Sequence, residues 1–137
     1  MTSDKIRALV VEDEPNSQYA LIKLIERYCP NVKVVGAVFT VEELLEELQV
    51  KEVDVLFLDI NLGKKSAFEA LLRVRTRNFQ IIVTTAHRHH ALKAFEHRAV
   101  HFLLKPVATE ELIESVARLR THHQGINGDS LKKLSGL

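Results

Sequence analysis

Five short apolar runs rich in β-branched residues recur along the chain, at Ile6–Val11, Lys33–Val38, Val53–Leu58, Gln80–Thr85 and His101–Leu104. Most are too apolar to leave one face in water, and strands buried on both faces belong to a parallel sheet covered by helices on each side. Between the runs the pattern changes to a helical period. Pro15 stands where a first helical turn accepts proline, and Leu21, Leu24, Ile25 and Tyr28 follow as one stripe. Thr40-Val-Glu-Glu43 and Ser66-Ala-Phe-Glu69 both match the capping box, in which each side chain satisfies the other residue's free amide. A shorter stripe, Ala91, Leu92, Ala94 and Phe95, marks a helix near Ala91–Arg98. Thr109 is expected to cap the last helix, with Glu110 and Glu111 at its positive dipole end and Leu112, Ile113, Val116 and Leu119 facing inward.

Five strand–helix units of this size predict a doubly wound α/β fold of the flavodoxin-like type, a (βα)5 parallel sheet with strand order 2-1-3-4-5. Ligands then bind outside the carboxyl ends of the strands, where the order reverses between the first and third. A length of 137 residues with 46% hydrophobic and 27% charged residues suits one globular domain. Roughly two-thirds of the unfolded surface is buried at that size, so neither a disulfide nor a structural metal is required. The lone Cys29 forbids an internal disulfide and suits a buried apolar site in a reducing cytoplasm. Nothing at the N-terminus resembles a signal peptide, and no apolar run reaches the roughly 18 residues of a membrane span. A net charge of +1 leaves no electrostatic footprint for nucleic acid. Residues 1–121 are expected to form the domain, and the polar residues 122–137 a tail or a linker to an output domain outside this chain.

The chemistry concentrates at strand ends. Glu12-Asp13 closes the first strand, Asp59 the third, and Lys105 follows the fifth. In a parallel sheet those ends meet at one rim, making an acidic pocket with a lysine beside it. A carboxylate accepts a phosphoryl group when a metal neutralises the charge between them and a cation stabilises the oxygens opposite. Asp59 is the expected nucleophile, and Glu12 and Asp13 supply further carboxylates to the metal or its waters. Mg2+ fits best, since it takes one or two carboxylates together with waters and phosphate oxygens. Two carboxylates about 5 Å apart repel by roughly 3 kcal/mol at an effective dielectric near 20, which a divalent cation more than offsets. Lys105 would pair with a phosphoryl oxygen, with Pro106 fixing the turn that aims it. Thr84-Thr85-Ala86 ends the fourth strand at the same rim, where a hydroxyl can reach a phosphoryl oxygen.

The stretches LVVEDEP (Leu9–Pro15), VLFLDINL (Val55–Leu62), IIVTTAH (Ile81–His87) and FLLKPV (Phe102–Val107) resemble the receiver domain of two-component response regulators. The resemblance covers about residues 5–121 and looks most like receivers joined to LytTR-type DNA-binding domains. It implies phosphoryl transfer from the phosphohistidine of a sensor histidine kinase to Asp59, in a regulatory acceptor rather than an enzyme. It further implies Mg2+ held by Asp13, Asp59 and the Asn61 backbone carbonyl, with Glu12 behind. Thr85 and Lys105 would bind the phosphoryl group, and Thr85 and Phe102 would act as switch residues. The same resemblance implies a cytoplasmic protein, a C-terminal DNA-binding domain outside this chain, and room for a homodimer. The dimer face would comprise the helix near Ala91–Arg98, the strand His101–Leu104 and the last helix.

Two departures from the family pattern stand out. Gly63-Lys64-Lys65-Ser66-Ala67 replaces the usual proline and then glycine after the acceptor, and Phe102 lacks a tyrosine's hydroxyl. An aspartyl phosphatase would want a second acid two residues after its nucleophile, where this chain has Asn61. A flavin or nucleotide binder would want a glycine- or hydroxyl-rich loop after the first strand, and Glu12-Asp13-Glu14-Pro15 would repel phosphate. A receiver-like interaction module that is never phosphorylated is the remaining alternative. His87, His89 and His90, with His97, His101, His122 and His123, lack cysteines or carboxylates at ligand spacing and read as solvated. His87, two residues past Thr85, and Asn61, two past Asp59, are expected to border the path of the water that attacks the phosphorylated form.

Overall fold

The computed structural model describes residues 5–59, 78–86 and 101–119. Among them are five strands, β1 (Ile6–Val11), β2 (Val32–Val38), β3 (Val55–Asp59), β4 (Gln80–Thr85) and β5 (His101–Leu104), and three helices, α1 (Pro15–Tyr28), α2 (Val41–Val50) and α3 (Thr109–Ala117). The strands form one parallel sheet in the order β2-β1-β3-β4-β5, as the repeating pattern predicts. The expected helices at Ser66–Glu69 and Ala91–Arg98, and the tail of residues 122–137, lie outside the described residues. None of the described helices is long and apolar enough to cross a membrane.

Alternation along the strands builds two cores. Ile6, Ala8, Val10, Val55, Phe57, Ile82 and Leu103 point to one side, against Leu21, Ile25 and Cys29 of the α1 segment and Leu112 and Val116 of α3. Leu9, Val11, Leu56, Leu58, Ile81 and Val83 point to the other, against Val41 and Leu44 of α2. Each fully buried aliphatic side chain contributes about 1.5–3 kcal/mol, which is why strands apolar on both faces end up in the middle.

At the rim remote from the acids, Arg7 forks onto Asp54 at 3.1 Å through both Nε and Nη2, while the Arg7 amide donates to Asp54 Oδ2 and the Asp54 amide to the Arg7 carbonyl, each at 2.8 Å. The clasp pins where β3 enters beside β1. From there the register runs Ala8 to Val55 and Val11 to Leu58, so Glu12 and Asp59 emerge level. On the other side of β1, the pairing passes from Ala8–Val34 to Leu9–Gly36, leaving Val35 as a bulge in edge strand β2. The Val35 carbonyl is taken up by Lys51 Nζ at 2.9 Å, itself paired with Glu47 at 2.7 Å.

Helix ends follow the sequence in part. Thr40 and Glu43 form the expected capping box. The cap of α1 is Glu14, whose carboxylate accepts from the amides of Asn16 and Ser17 at 3.0 and 2.8 Å, ahead of Pro15. Thr109 does not cap α3; Ala108 occupies the cap without a side-chain bond, and Glu110 and Glu111 fill the first turn. Ile113 and Tyr28, expected to face inward, are 44% and 39% exposed, because each falls at the margin of a stripe already filled by Leu112 and Val116 or by Leu21 and Ile25. β2 starts one residue earlier than expected, and β3 starts at Val55 rather than Val53 and runs on through Asp59.

Three measurements test this scaffold. A Cβ on Gly36 would meet the buried Leu9 Cδ1 at 2.9 Å and Glu47 Oε1 at 2.8 Å. Gly36→Val is therefore expected to lower unfolding free energy by about 1–3 kcal/mol in denaturant titration, and an unchanged midpoint would contradict the close approach. Thr40→Ala should cost about 0.5–2 kcal/mol in the same assay. The Asn16 and Ser17 amides hold the Glu14 carboxyl below its ordinary value of 4.5. Stability from that cap is then complete above about pH 4.5 and lost as pH falls through the depressed folded value. The melting-temperature gap between wild type and Glu14→Ala should accordingly be widest near pH 7 and close on acidification.

Candidate functional site

Equal register delivers the acids. Glu12 and Asp59 are buried, at 2% and 5% exposure, whereas Asp13 is exposed at the mouth. One carboxylate oxygen from each of the three lies within 4.8 Å of the others. Parity along β1, β3 and β5 sends Glu12, Asp59 and Lys105 to the sheet face covered by α1 and α3. Lys105 Nζ donates to Glu12 Oε1 and to Asp59 Oδ2, the latter at 3.1 Å. The Lys105 amide donates to the Thr85 carbonyl at 2.8 Å, so the lysine leaves the sheet only after β5 has been tied to β4. The Lys105–Pro106 peptide is cis.

Among the described residues charge in this pocket is unbalanced, since the carboxyl groups of Glu12, Asp13 and Asp59 gather around the one ammonium of Lys105. Burial pushes the Glu12 carboxyl up to about 7; the hydrogen bond from Lys105 and the Glu14 amide oppose this, and Asp59 adds to it. Burial also works against the Lys105 ammonium, yet its bonds and attraction to Glu12 and Asp59 hold its pKa above the ordinary value. Burial and the bonds between the groups thus act in opposite senses on each: burial raises the Glu12 value and Lys105 lowers it, whereas burial lowers the Lys105 value and the carboxylates raise it. Hard oxygen donors with surplus negative charge, clustered at this spacing, fit a divalent cation. The three residues could hold a metal ion.

The rim carries further groups. Thr84 pairs in register with Asp59, shares its face, and lines a cavity of about 310 Å³ with Glu12, Ser17, Leu21, Lys105 and Val107. Thr85, fully buried, belongs to the opposite face with Val83. Phe102 pairs with Val83 and is half-buried against the cluster on the α2 side, its ring stacked on His101 at 6.1 Å. Asn61 and His87 lie outside the described residues. Sequence reading missed Gln18. This side chain is 8% exposed on the inward stripe with Leu21 and Ile25, and its amide donates to the carbonyls of Val38 at 2.9 Å and Glu12 at 3.3 Å. A glutamine at a core position of a helix was the available signal.

Known proteins carry the same arrangement of sequence and fold. The model of the response regulator receiver domain matches residues 8–117. Among curated proteins, the sensory transduction protein LytT of Bacillus anthracis is 33% identical over 121 residues, covering 87% of this chain and 49% of that protein. The transcriptional regulatory protein LytR of Staphylococcus aureus strain N315 is 29% identical over 117 residues, 84% of this chain and 47% of that one. The chain thus spans about half the length of the curated relatives it matches. Among solved structures, the response regulatory domain of mrkE from Klebsiella pneumoniae superposes with a TM-score of 0.74 at 29% identity, covering 83% of this chain and 94% of that one. A CheY-like receiver domain from Methylobacillus flagellatus, 17% identical over 85% of this chain and 99% of its own, shares the fold with a TM-score of 0.72. With its five-stranded 2-1-3-4-5 sheet and its acidic rim, this chain belongs to the response regulator receiver domain family.

Proposed function

We propose that the chain is a phosphoacceptor switch of a two-component system, in which Asp59 takes a phosphoryl group from the phosphohistidine of a sensor histidine kinase. The observation that carries this reading is the gathering of Glu12, Asp13 and Asp59 within 4.8 Å, with Lys105 bonded to two of them. An Asp59 carboxylate oxygen attacks phosphorus, and the P–N bond to the kinase imidazole breaks. The electron pair leaves with the imidazole nitrogen, which needs no proton from Asp59. Bound by Asp13, Asp59 and the backbone carbonyl of Asn61, with Glu12 behind, Mg2+ would neutralise the repulsion between Asp59 and the incoming group. Lys105, already 3.1 Å from Asp59 Oδ2, needs only a short swing to reach a phosphoryl oxygen. The Thr85 hydroxyl supplies a second bond.

Switching then runs from Thr85 to Phe102, which share the sheet face on the α2 side. Inward rotation of Phe102 gains packing but no hydrogen bond. A charge-assisted bond from Lys105 contributes about 1.5–3 kcal/mol and one from Thr85 about 1, whereas inverting a 1:99 equilibrium needs about 5.5. Because Lys105 gives up carboxylate bonds to make the new one, its net contribution sits at the low end. Phosphorylation alone therefore shifts the population incompletely, and dimerisation through the face containing β5 and α3, or an output partner, completes the shift. The names of the LytT and LytR relatives, a sensory transduction protein and a transcriptional regulatory protein, support a role in transcription regulation; in this reading the protein is cytoplasmic and DNA contact belongs to a C-terminal domain beyond this chain and not to the receiver.

Incubation with Mg2+ and a small acyl-phosphate donor, followed by intact-mass measurement, tests the chemistry. Wild type should gain one phosphoryl group, Asp59→Asn none, and EDTA should abolish the gain. No adduct on wild type would leave only an interaction module. Lys105→Met should slow the transfer roughly ten- to a hundredfold at saturating Mg2+. Dimer fraction measured with and without an acyl-phosphate mimic checks the energetics: a complete switch in a strictly monomeric protein would sink the incomplete-shift argument.

A further inference from the structure

We infer that Gln18 is a positioning residue for the acidic centre: its carboxamide clamps the Glu12–Asp13 peptide and so sets where the exposed Asp13 carboxylate stands for a divalent cation. This rests on the metal-dependent reading of the site. Gln18 lies one turn into α1, on the stripe continued by Leu21 and Ile25, where helical periodicity alone asks for an apolar side chain. It is 8% exposed, so both amide hydrogens must find partners inside the protein. Nε2 donates to the Val38 carbonyl at 2.9 Å and the Glu12 carbonyl at 3.3 Å. Both partners are acceptors only, so the NH2 group, not the amide oxygen, faces them.

The position of those carbonyls gives the clamp its consequence. Val38 ends β2 and also accepts from the Glu12 amide at 3.1 Å, while the Glu12 carbonyl and the Asp13 amide share one rigid peptide plane. Glu12 is thereby held on its N–H side by β2 and on its C=O side by α1. The Glu12 carboxylate has its own restraints, Lys105 and the Glu14 amide at 3.1 Å. Asp13 follows the clamped peptide directly, and rotation of that plane would swing its carboxylate away from Glu12 and Asp59. Groups that orient metal ligands without touching the metal typically govern affinity by 10–100-fold.

The test uses the full chain, with Mg2+ titrated calorimetrically in the absence of any phosphodonor. Gln18→Met keeps the volume and removes the donor; Gln18→Asn keeps the amide but shortens its reach. Each is compared with Thr40→Ala, which lowers stability through the α2 cap and leaves both Gln18 bonds in place. Both Gln18 variants should weaken Mg2+ binding roughly tenfold or more, while Thr40→Ala keeps the wild-type affinity despite a lower melting temperature in EDTA. Wild-type affinity in either folded Gln18 variant, or loss of folding in both, overturns the inference by reducing Gln18 to a core residue. If wild type itself neither binds Mg2+ nor takes a phosphoryl group, the proposed function falls and the clamp with it. If wild type does both and the variants bind equally well, only the clamp falls.

Discussion

The ammonium of Lys105, lodged between the buried carboxylates of Glu12 and Asp59, is the interaction around which the carboxyl rim of the sheet is organised. Without it two acids would share a poorly solvated space and lose the ammonium that offsets their repulsion. With it the pair is held together, while burial still keeps the Glu12 carboxyl raised, at about 7. The backbone that carries the lysine is anchored to β4, where the Thr85 carbonyl accepts from the Lys105 amide.

Such a cluster survives only on a stiff support, and the support is built at both ends of the sheet. Arg7 and Asp54 lock β1 to β3 at the far rim, and level register carries that alignment to Glu12 and Asp59. On the β2 side the Val35 bulge is capped by Lys51, and Gly36 admits the Leu9 side chain beside it. Gln18 then joins the ends of β1 and β2 to α1. The acids are thus fixed twice, by main-chain register and by the bonds their carboxylates accept from Lys105 and the Glu14 amide.

Alternation across the sheet divides the labour. Glu12, Asp59, Thr84 and Lys105 look toward α1 and α3, where the cavity lies, while Thr85 and Phe102 look toward the α2 side. The two faces meet at this rim through β4 and β5, two short strands tied at Thr85 and Lys105.

Much of this was legible in the residues. Strand positions followed from apolar runs buried on both faces, and the capping box at Thr40 from local hydrogen-bond chemistry, since both depend on neighbours a few positions apart. The rim of Glu12, Asp13, Asp59 and Lys105 followed because parallel strands bring their ends to one side. Stripe margins were less legible: Tyr28 and Ile113 are apolar but exposed, and Thr109 yields the cap to Ala108, because helix rotation is set by packing against the sheet. The bulge at Val35 left no local trace, and Gln18 left only a polar residue on an apolar stripe, because Lys51 and Val38, the partners they answer, lie 16 and 20 residues away. Sequence by itself determined which groups could meet, through period and order. Only tertiary structure decided how they meet: which carboxylates the lysine serves, how strongly burial perturbs them, and which glutamine holds the loop. Those depend on register and solvent exclusion, which exist only once distant segments are packed together.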